Sequence, residues 1–176
     1  MVYALGLNGM NPISTATGVA GPLIRTGGVI TGIVFSPDSR TAYAVDASKG
    51  TVTPISVTDS TAARPIKVGG YAVGAAITPD GRTVYVAQDY SGPSGTVTPI
   101  STAAGAPGRA IRLAGEPVGI GIGPGGDTAY VACLNTLHDP GTVVPISTAT
   151  NRAGTPIEVP VGPLAMVIVA RTRGAP

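Results

Sequence analysis

One adjacent pair in this 176-residue sequence, His138-Asp139, has the residue types for acid/base or metal chemistry. A histidine with no second histidine limits what that pair can do. Zinc sites draw on several His or Cys ligands, and the chain holds one of each. Beside Asp139 and Pro140, His138 reads as a turn residue. Cys133 closes the strand-like run that begins at Thr128 and reads as a small buried filler, not a nucleophile. Serines and threonines are plentiful but sit at strand positions, with no nucleophile-elbow sequence and no second His to activate them. No residue is assigned a catalytic or metal-binding role, and no cofactor is expected.

A wider polar set invites a binding role: Asp46 and Lys49, then Gln88, Asp89 and Tyr90, then Asn135, His138 and Asp139, with Glu116 from a separate connection. These residues stand where otherwise similar segments differ, and loops on a rigid scaffold commonly carry recognition. The competing reading is that they are solvated turn residues, a role for which Asp and Asn are ordinary choices.

What must position them is a repeat. Thr78 to Ser101 reads TPDGRTVYVAQDYSGPSGTVTPIS, and the phrase returns around Pro37 and Pro124. Tyr43, Tyr85 and Tyr130 are 42 and 45 residues apart; Pro12, Pro54, Pro99 and Pro145 are 42, 45 and 46 apart; Gly32, Gly74, Gly119 and the substituted Ala165 follow the same intervals. A period of this length with four short strands per unit is the signature of propeller blades. In the second full unit, Tyr71 to Ile77 is small and apolar, as for a strand buried on both faces. Thr83 to Ala87 alternates, Gly95 to Ser101 is β-branched, and Arg109 to Leu113 alternates charge with apolar residues, as for an outer strand with one wet face. Pro79-Asp80-Gly81 supplies a tight turn, Pro fixing φ and Gly accepting positive φ. Pro99 has no N–H for a ladder, so it should face a bulge or an unpaired side.

The phrases PDGRTVYVAQ, GTVTPISTA and RPIKVGGYAVGAAITPDG resemble the YVTN-type β-propeller repeat family, with Tyr85-Val86-Ala87-Gln88 and Tyr130-Val131-Ala132-Cys133 as the eponymous strand. The likeness runs from Val2 to about Val169. It departs from the pattern where the usual Asn is Asp46, Gln88 or Cys133, and at Tyr3-Ala4-Leu5-Gly6. The resemblance implies surface-layer-like or lactonase-like propellers, and with them an extracellular or cell-surface setting.

The fold expected is therefore all-β, a single propeller or half-propeller domain of four-stranded antiparallel blades. Residues 2–26 match the second, third and fourth strands of a blade: Val2 to Leu7, Met10 to Thr15 and Pro22 to Thr26. Full blades follow over 28–68, 70–113 and 117–159, and 163–169 matches a first strand. Counted this way the chain has four blade equivalents, and 163–169 would complete the sheet that contains Tyr3, removing two open edges. Closure within one chain makes a four-bladed ring, and closure between two chains makes an eight-bladed homodimer. A cut through a longer propeller leaves the same complementary ends. The homodimer is preferred, because the family resembles larger rings and these Ala- and Gly-rich blades lack the bulky wedges of a very tight one.

The second-to-third-strand loops carry the length differences, Tyr3 to Pro12 spanning 9 residues, Tyr43 to Pro54 11, Tyr85 to Pro99 14 and Tyr130 to Pro145 15. In a propeller these loops share one face with the connections between blades, which gathers the polar set at one mouth of the ring. The charges of the fourth strands, Arg25, Lys67, Arg112 and Glu158, read as a solvated outer edge that resists aggregation. The expected function is a non-enzymatic scaffold for ligand binding or protein–protein interaction through that loop face. The alternative is a lactonase-like or lyase-like enzyme with its site at the channel mouth.

Composition agrees with a packed, turn-rich β domain: 26 Gly and 17 Pro, yet 43% hydrophobic residues and a mean hydropathy of +0.34. The net charge of +2 comes from 11 basic and 9 acidic residues spread along the chain, with no basic cluster of the kind nucleic acid requires. Apolar runs such as Leu164 to Ala170 are far shorter than a membrane span. Met1 to Ala20 has no basic segment leading into an apolar core, so it is not read as a signal peptide. One Cys excludes an intrachain disulfide.

Overall fold

The computed structural model describes residues 1–90, 94–135, 140–160 and 162–169. Alternating β-branched and small residues between turn phrases make strands, and the repeat makes three antiparallel sheets of the same design. The first contains β1 (Val2–Ile13), β2 (Ile24–Phe35), β3 (Thr41–Asp46), β4 (Thr51–Ser56) and two short pieces on β4, namely β5 (Thr61–Ala62) and β6 (Ile66–Lys67). The second contains β7 (Tyr71–Ile77), β8 (Thr83–Asp89) and β9 (Gly95–Ser101), with β10 (Ala106–Pro107) and β11 (Ile111–Leu113) both on β9. The third repeats this with β12 (Glu116–Ile122), β13 (Thr128–Leu134), β14 (Gly141–Ser147), β15 (Arg152–Ala153) and β16 (Ile157–Val159).

The Pro-Asp-Gly turn forms as its residues dictate. The Gly81 N–H donates to the Thr78 carbonyl at 2.8 Å, and Gly81 takes φ +71°. Asp80 accepts from Thr78 Oγ1 and from the Arg82 N–H, so the side chain closes the turn a second time. Ser36, Asp38 and Arg40 repeat the arrangement in the first sheet.

The missing N–H of Pro99 also has the expected consequence. Opposite this proline the outer strand breaks into β10 and β11, and the Gly108 N–H turns in to donate to the Pro99 carbonyl at 2.7 Å. Gly21 with Pro12, Ala63 with Pro54 and Gly154 with Pro145 make the same bond at 2.7 to 2.8 Å. The fourth strand is thus two short pieces in each sheet.

The sheets stack face to face in chain order, β7 lying between β2 and β12. Between the second and third sheets, Tyr85, Ala87, Val97, Val131, Cys133 and Ile146 belong to one buried cluster; between the first and second, Tyr43, Val45, Val52, Val84 and Val86 belong to another. Small side chains on the inner strands permit this approach: Gly74 of β7 faces Ile120 of β12, where an added Cβ would lie 3.9 Å from Cγ2. Each inner strand carries a register shift just before this glycine position, at Ile30/Gly32, Ala72/Gly74 and Pro117/Gly119.

The first unit departs from the sequence expectation. Val2 to Leu7 and Met10 to Thr15 are not two strands of a hairpin; instead β1 runs without reversal from Val2 to Ile13 and pairs with β2 through Leu7 opposite Val29, Gly9 opposite Arg25 and Met10 opposite Ile24. A bulge at Asn8 and Gly9, both at positive φ (68° and 155°), takes the place of the reversal. The physical reason is the short loop: Tyr3 to Pro12 is 2 residues shorter than the next unit's 11, and β2 offers an edge that Leu7, Gly9 and Met10 take up.

Residues 162–169 belong to no strand of the described ladder and are not hydrogen-bonded to β1 as a sheet neighbour within the chain. Met166 and Ile168 lie instead against Gly119 and Gly121 of β12, and the Pro163 ring lies on Gly141.

Candidate functional site

The equivalent residues Asp46, Gln88 and Cys133, at the end of β3 and one residue before the ends of β8 and β13, are fully buried in all three sheets. Each packs on a glycine that recurs at the same period: Gly28 on Asp46, Gly70 on Gln88 and Gly115 on Cys133. A Cβ at Gly28 would collide with Asp46 Oδ2, one at Gly70 would stand 3.0 Å from Gln88 Cβ, and one at Gly115 2.9 Å from Cys133 Cβ. This glycine series escaped the sequence reading, although its intervals of 42 and 45 are visible there.

Each polar member of the series is tied into its own sheet. Asp46 Oδ1 accepts from Ser48 Oγ at 2.7 Å and from the Lys49 N–H at 3.0 Å, while Oδ2 has no hydrogen-bond donor. The Gln88 amide bridges Thr96 and Thr98 at 2.8 to 2.9 Å in either orientation of its O and N. Cys133 has its thiol pushed up to about 11 by burial, which leaves no thiolate at neutral pH.

The remaining sequence candidates lie nearer solvent. Lys49 is exposed, its Nζ close to Gly27. Asp89 ends β8 half-buried, opposite Tyr71 on one side and Gly95 on the other. Tyr90 is exposed, with its ring over Gly70 and its hydroxyl beside Gly69. Glu116 opens β12 opposite Leu134, and Asn135 donates through Nδ2 to the Pro140 carbonyl at 2.8 Å. His138 and Asp139 lie outside the described residues. Among the described residues no group of three His, Cys, Asp or Glu side chains is placed to hold a metal ion.

Tyr90 also borders a cleft of about 770 Å³ with Ser94, Thr96, Arg109, Arg112 and Leu113. The register that puts Arg112 opposite Thr96 and Leu113 opposite Gly95 builds one wall of it. Among the described residues an ion pair joins Arg82 to Asp80 at 3.9 Å, outside this cleft. Arg109 carried no functional signal in the sequence, since the cleft exists only once β11 has paired with β9.

Comparison with known proteins places the fold. No protein-family model matches the chain, and no curated protein matches it. Among solved structures it is similar to hydrazine synthase of Kuenenia stuttgartiensis, with a TM-score of 0.81 at 21% identity over 86% of this chain and 43% of that one. It is also similar to the dihydro-heme d1 dehydrogenase NirN in complex with DHE, with a TM-score of 0.71 at 15% identity over 90% of this chain and 35% of that one. The RRP9 WD40 repeats follow at 0.59 and 16% identity over 73% of this chain and 38% of that one. The chain thus spans less than half the length of each of these three structures. These are β-propeller proteins, enzymes and repeat scaffolds alike, and the chain shares their fold: all-β antiparallel sheets stacked as in a propeller. No helix of the described residues is long and apolar enough to cross a membrane.

Proposed function

We propose that this chain is a propeller module of YVTN type that works without catalysis, as a scaffold whose loop face binds a ligand or a protein. The observation that carries this reading is the burial of Asp46 and Gln88, which turn away from solvent and make their hydrogen bonds to Ser48, Lys49, Thr96 and Thr98 of their own units, Asp46 Oδ2 alone lacking a donor. Recognition then falls to the solvent-facing groups around them: Lys49, Tyr90, Glu116 and Asn135, with Asp89 half-buried. His138 and Asp139 are included in the proposed set on their place in the repeat of the sequence alone. Two copies are proposed to share one eight-bladed ring, residues 163–169 of each completing the unit that contains Tyr3 of the other. A cell-surface or extracellular setting is proposed with the family resemblance.

Titration calorimetry with zinc, manganese and calcium ions tests the absence of catalysis at this mouth. A scaffold shows no tight cation uptake in the chain or in His138→Ala. Tight uptake that disappears in His138→Ala overturns the proposal in favour of a lactonase-like or lyase-like enzyme.

A further inference from the structure

Residues 162–169 occupy a place that the repeat defines. Pro117 is the second residue of β12, and its ring covers Gly95, where a Cβ would collide with it. Pro163 stands 46 residues later, and its ring covers Gly141 in the same way, 46 residues after Gly95. Ile120 lies over Gly74, and its equivalent, Met166, lies over Gly119. The segment therefore has the seat of an inner strand beside β12, and its outward side chains Val167 and Val169 are 84% and 74% exposed.

The residues that pair with an inner strand are also defined. Val34 faces Tyr43, Ala76 faces Tyr85 and Gly121 faces Tyr130. By the same intervals, Val167 would face Tyr3, with Met166 opposite Ala4, Ala165 opposite Leu5 and Ile168 opposite Val2. Tyr3 is not in a position to do this while β1 runs straight. Its hydroxyl is buried without a partner, whereas Tyr85 reaches Asn151 in the following sheet. The position equivalent to Asn151 in front of Tyr3 is Ser60, at φ +53° like Asn151 itself.

Reversal of the strand is written into Gly6-Leu7-Asn8-Gly9. Tyr43, Tyr85 and Tyr130 each pair with a proline, Pro54, Pro99 and Pro145. Pairing Tyr3 with Pro12 sets Leu5 opposite Met10 and leaves these four residues as the loop. Two glycines and an Asn suit such a loop, since all three accept positive φ readily. Gly6 has open space around it, and Asn8 and Gly9 already stand at positive φ.

We infer that the partner of this edge is a second copy of the chain, joined by strand addition in the register Tyr3 opposite Val167. In the joined state Val2 to Leu5 leaves its present course, folds back over Gly6 to Gly9 onto Met10 to Ile13, and receives Ala165 to Ile168 of the other copy. Main-chain hydrogen bonds supply the affinity, and the exposed Val2 and Val167 supply apolar cover. The inference rests on the two-copy ring proposed above.

Engineered cysteines read the register directly. Ala4→Cys is mixed with Met166→Cys, and separately Leu5→Cys with Ala165→Cys, under mild oxidation; neighbouring pairs alternate between the two antiparallel geometries, so one of them suits a disulfide. Ala4→Cys with Val167→Cys is the out-of-register control. The expected result is a two-chain covalent species from an in-register mixture and at least tenfold less from the control. Single variants are first matched to the parent by thermal melting and by light-scattering mass. A mass of two chains with equal or no cross-linking overturns the register and leaves the ring standing. One-chain mass at every concentration overturns both. Amide exchange at 165–168 that slows as concentration rises supports the pairing without any substitution, and exchange independent of concentration counts against it.

Discussion

The hydroxyl of Tyr85 donates to Oδ1 of Asn151 at 2.6 Å, across 66 residues of chain and from one sheet to the next. It also lies 3.3 Å from the Thr148 carbonyl, so the turn of the third sheet is latched to the middle strand of the second. Asn151 suits the position twice over, because its φ of +53° belongs to a turn and its side chain is an acceptor. Tyr85 is 1% exposed, and burial raises its hydroxyl above the ordinary 10.0, with the Asp80 charge adding to the effect.

Removing the latch should therefore loosen one sheet from its neighbour. Tyr85→Phe is expected to cost about 1 kcal/mol, roughly 2–4 °C in Tm for a chain of this size. Tyr43→Phe is expected to cost less, because the residue equivalent to Asn151 in front of Tyr43 is Gly105, which has no side chain to accept. Thermal denaturation of the two variants side by side checks the difference; equal losses would show that the ring hydroxyl, not the latch, matters.

The glycine series makes a second prediction. Gly28→Ala puts a methyl group into the Asp46 carboxylate, and the strand pairing of Ile30 with Asp46 leaves little room to yield. The expected loss is about 1–3 kcal/mol by denaturant unfolding, the range for overpacking a closed interior. In the double variant Gly28→Ala, Asp46→Ala the methyl group occupies the vacated space, so the two changes should cost less together than their sum. Strict additivity would mean that the two residues do not press on one another.

Much of this architecture was legible in the sequence because it is stated several times. A repeated Tyr, Pro or Gly declares a position in the sheet, and the turn at Gly81 and the broken outer strand opposite Pro99 follow from the chemistry of single residues. The straight course of β1 was not legible. It results from competition between a local hairpin over Gly6 to Gly9 and the free edge of β2, and an edge is a tertiary property with no local signature. The inward turn of Asp46 and Gln88 was hidden for a similar reason. Both stand close to loops, at or next to the end of a strand, and read as solvent-facing until Gly28 and Gly70 are seen to make room for them. The cleft with Arg109 and Arg112 depends on the pairing of β11 with β9, which periodicity alone does not number.

The turn carboxylates should titrate low. Asp80 is held below the ordinary 3.8 first by the hydrogen bond from Thr78 Oγ1 and next by the Arg82 N–H; Asp38 is held down likewise by Ser36 and Arg40. A carboxylate whose folded value is depressed stabilises the fold above its unfolded value and loses that contribution as pH falls through the folded value. Stability is thus expected to decline as pH falls below 3.8, where the unfolded chain takes up these protons before the folded turns do. Thr78→Val should bring the Asp80 titration back toward 3.8 while leaving Asp38 unmoved, as followed by carboxyl carbon NMR. An unchanged Asp80 midpoint would assign the effect to the backbone amide alone.

Cys133 supplies a probe of the interface between the second and third sheets, since it lies in the buried cluster that joins them. Burial raises its thiol from 9.0 to about 11, and its hydrogen-bonding contact is the Val131 carbonyl at 3.9 Å. A group raised in this way favours the folded state below its unfolded value, and the advantage drains away as pH climbs from 9.0 toward 11. Reagent access requires the cluster to open, so labelling by iodoacetamide at pH 8 should be slower than that of the denatured chain by at least a hundredfold. Tyr85→Phe, by loosening the latch between the same two sheets, should accelerate labelling in proportion to its loss of stability if global opening exposes the thiol. Acceleration beyond that proportion would mean that the two sheets part locally while the rest of the stack stays folded.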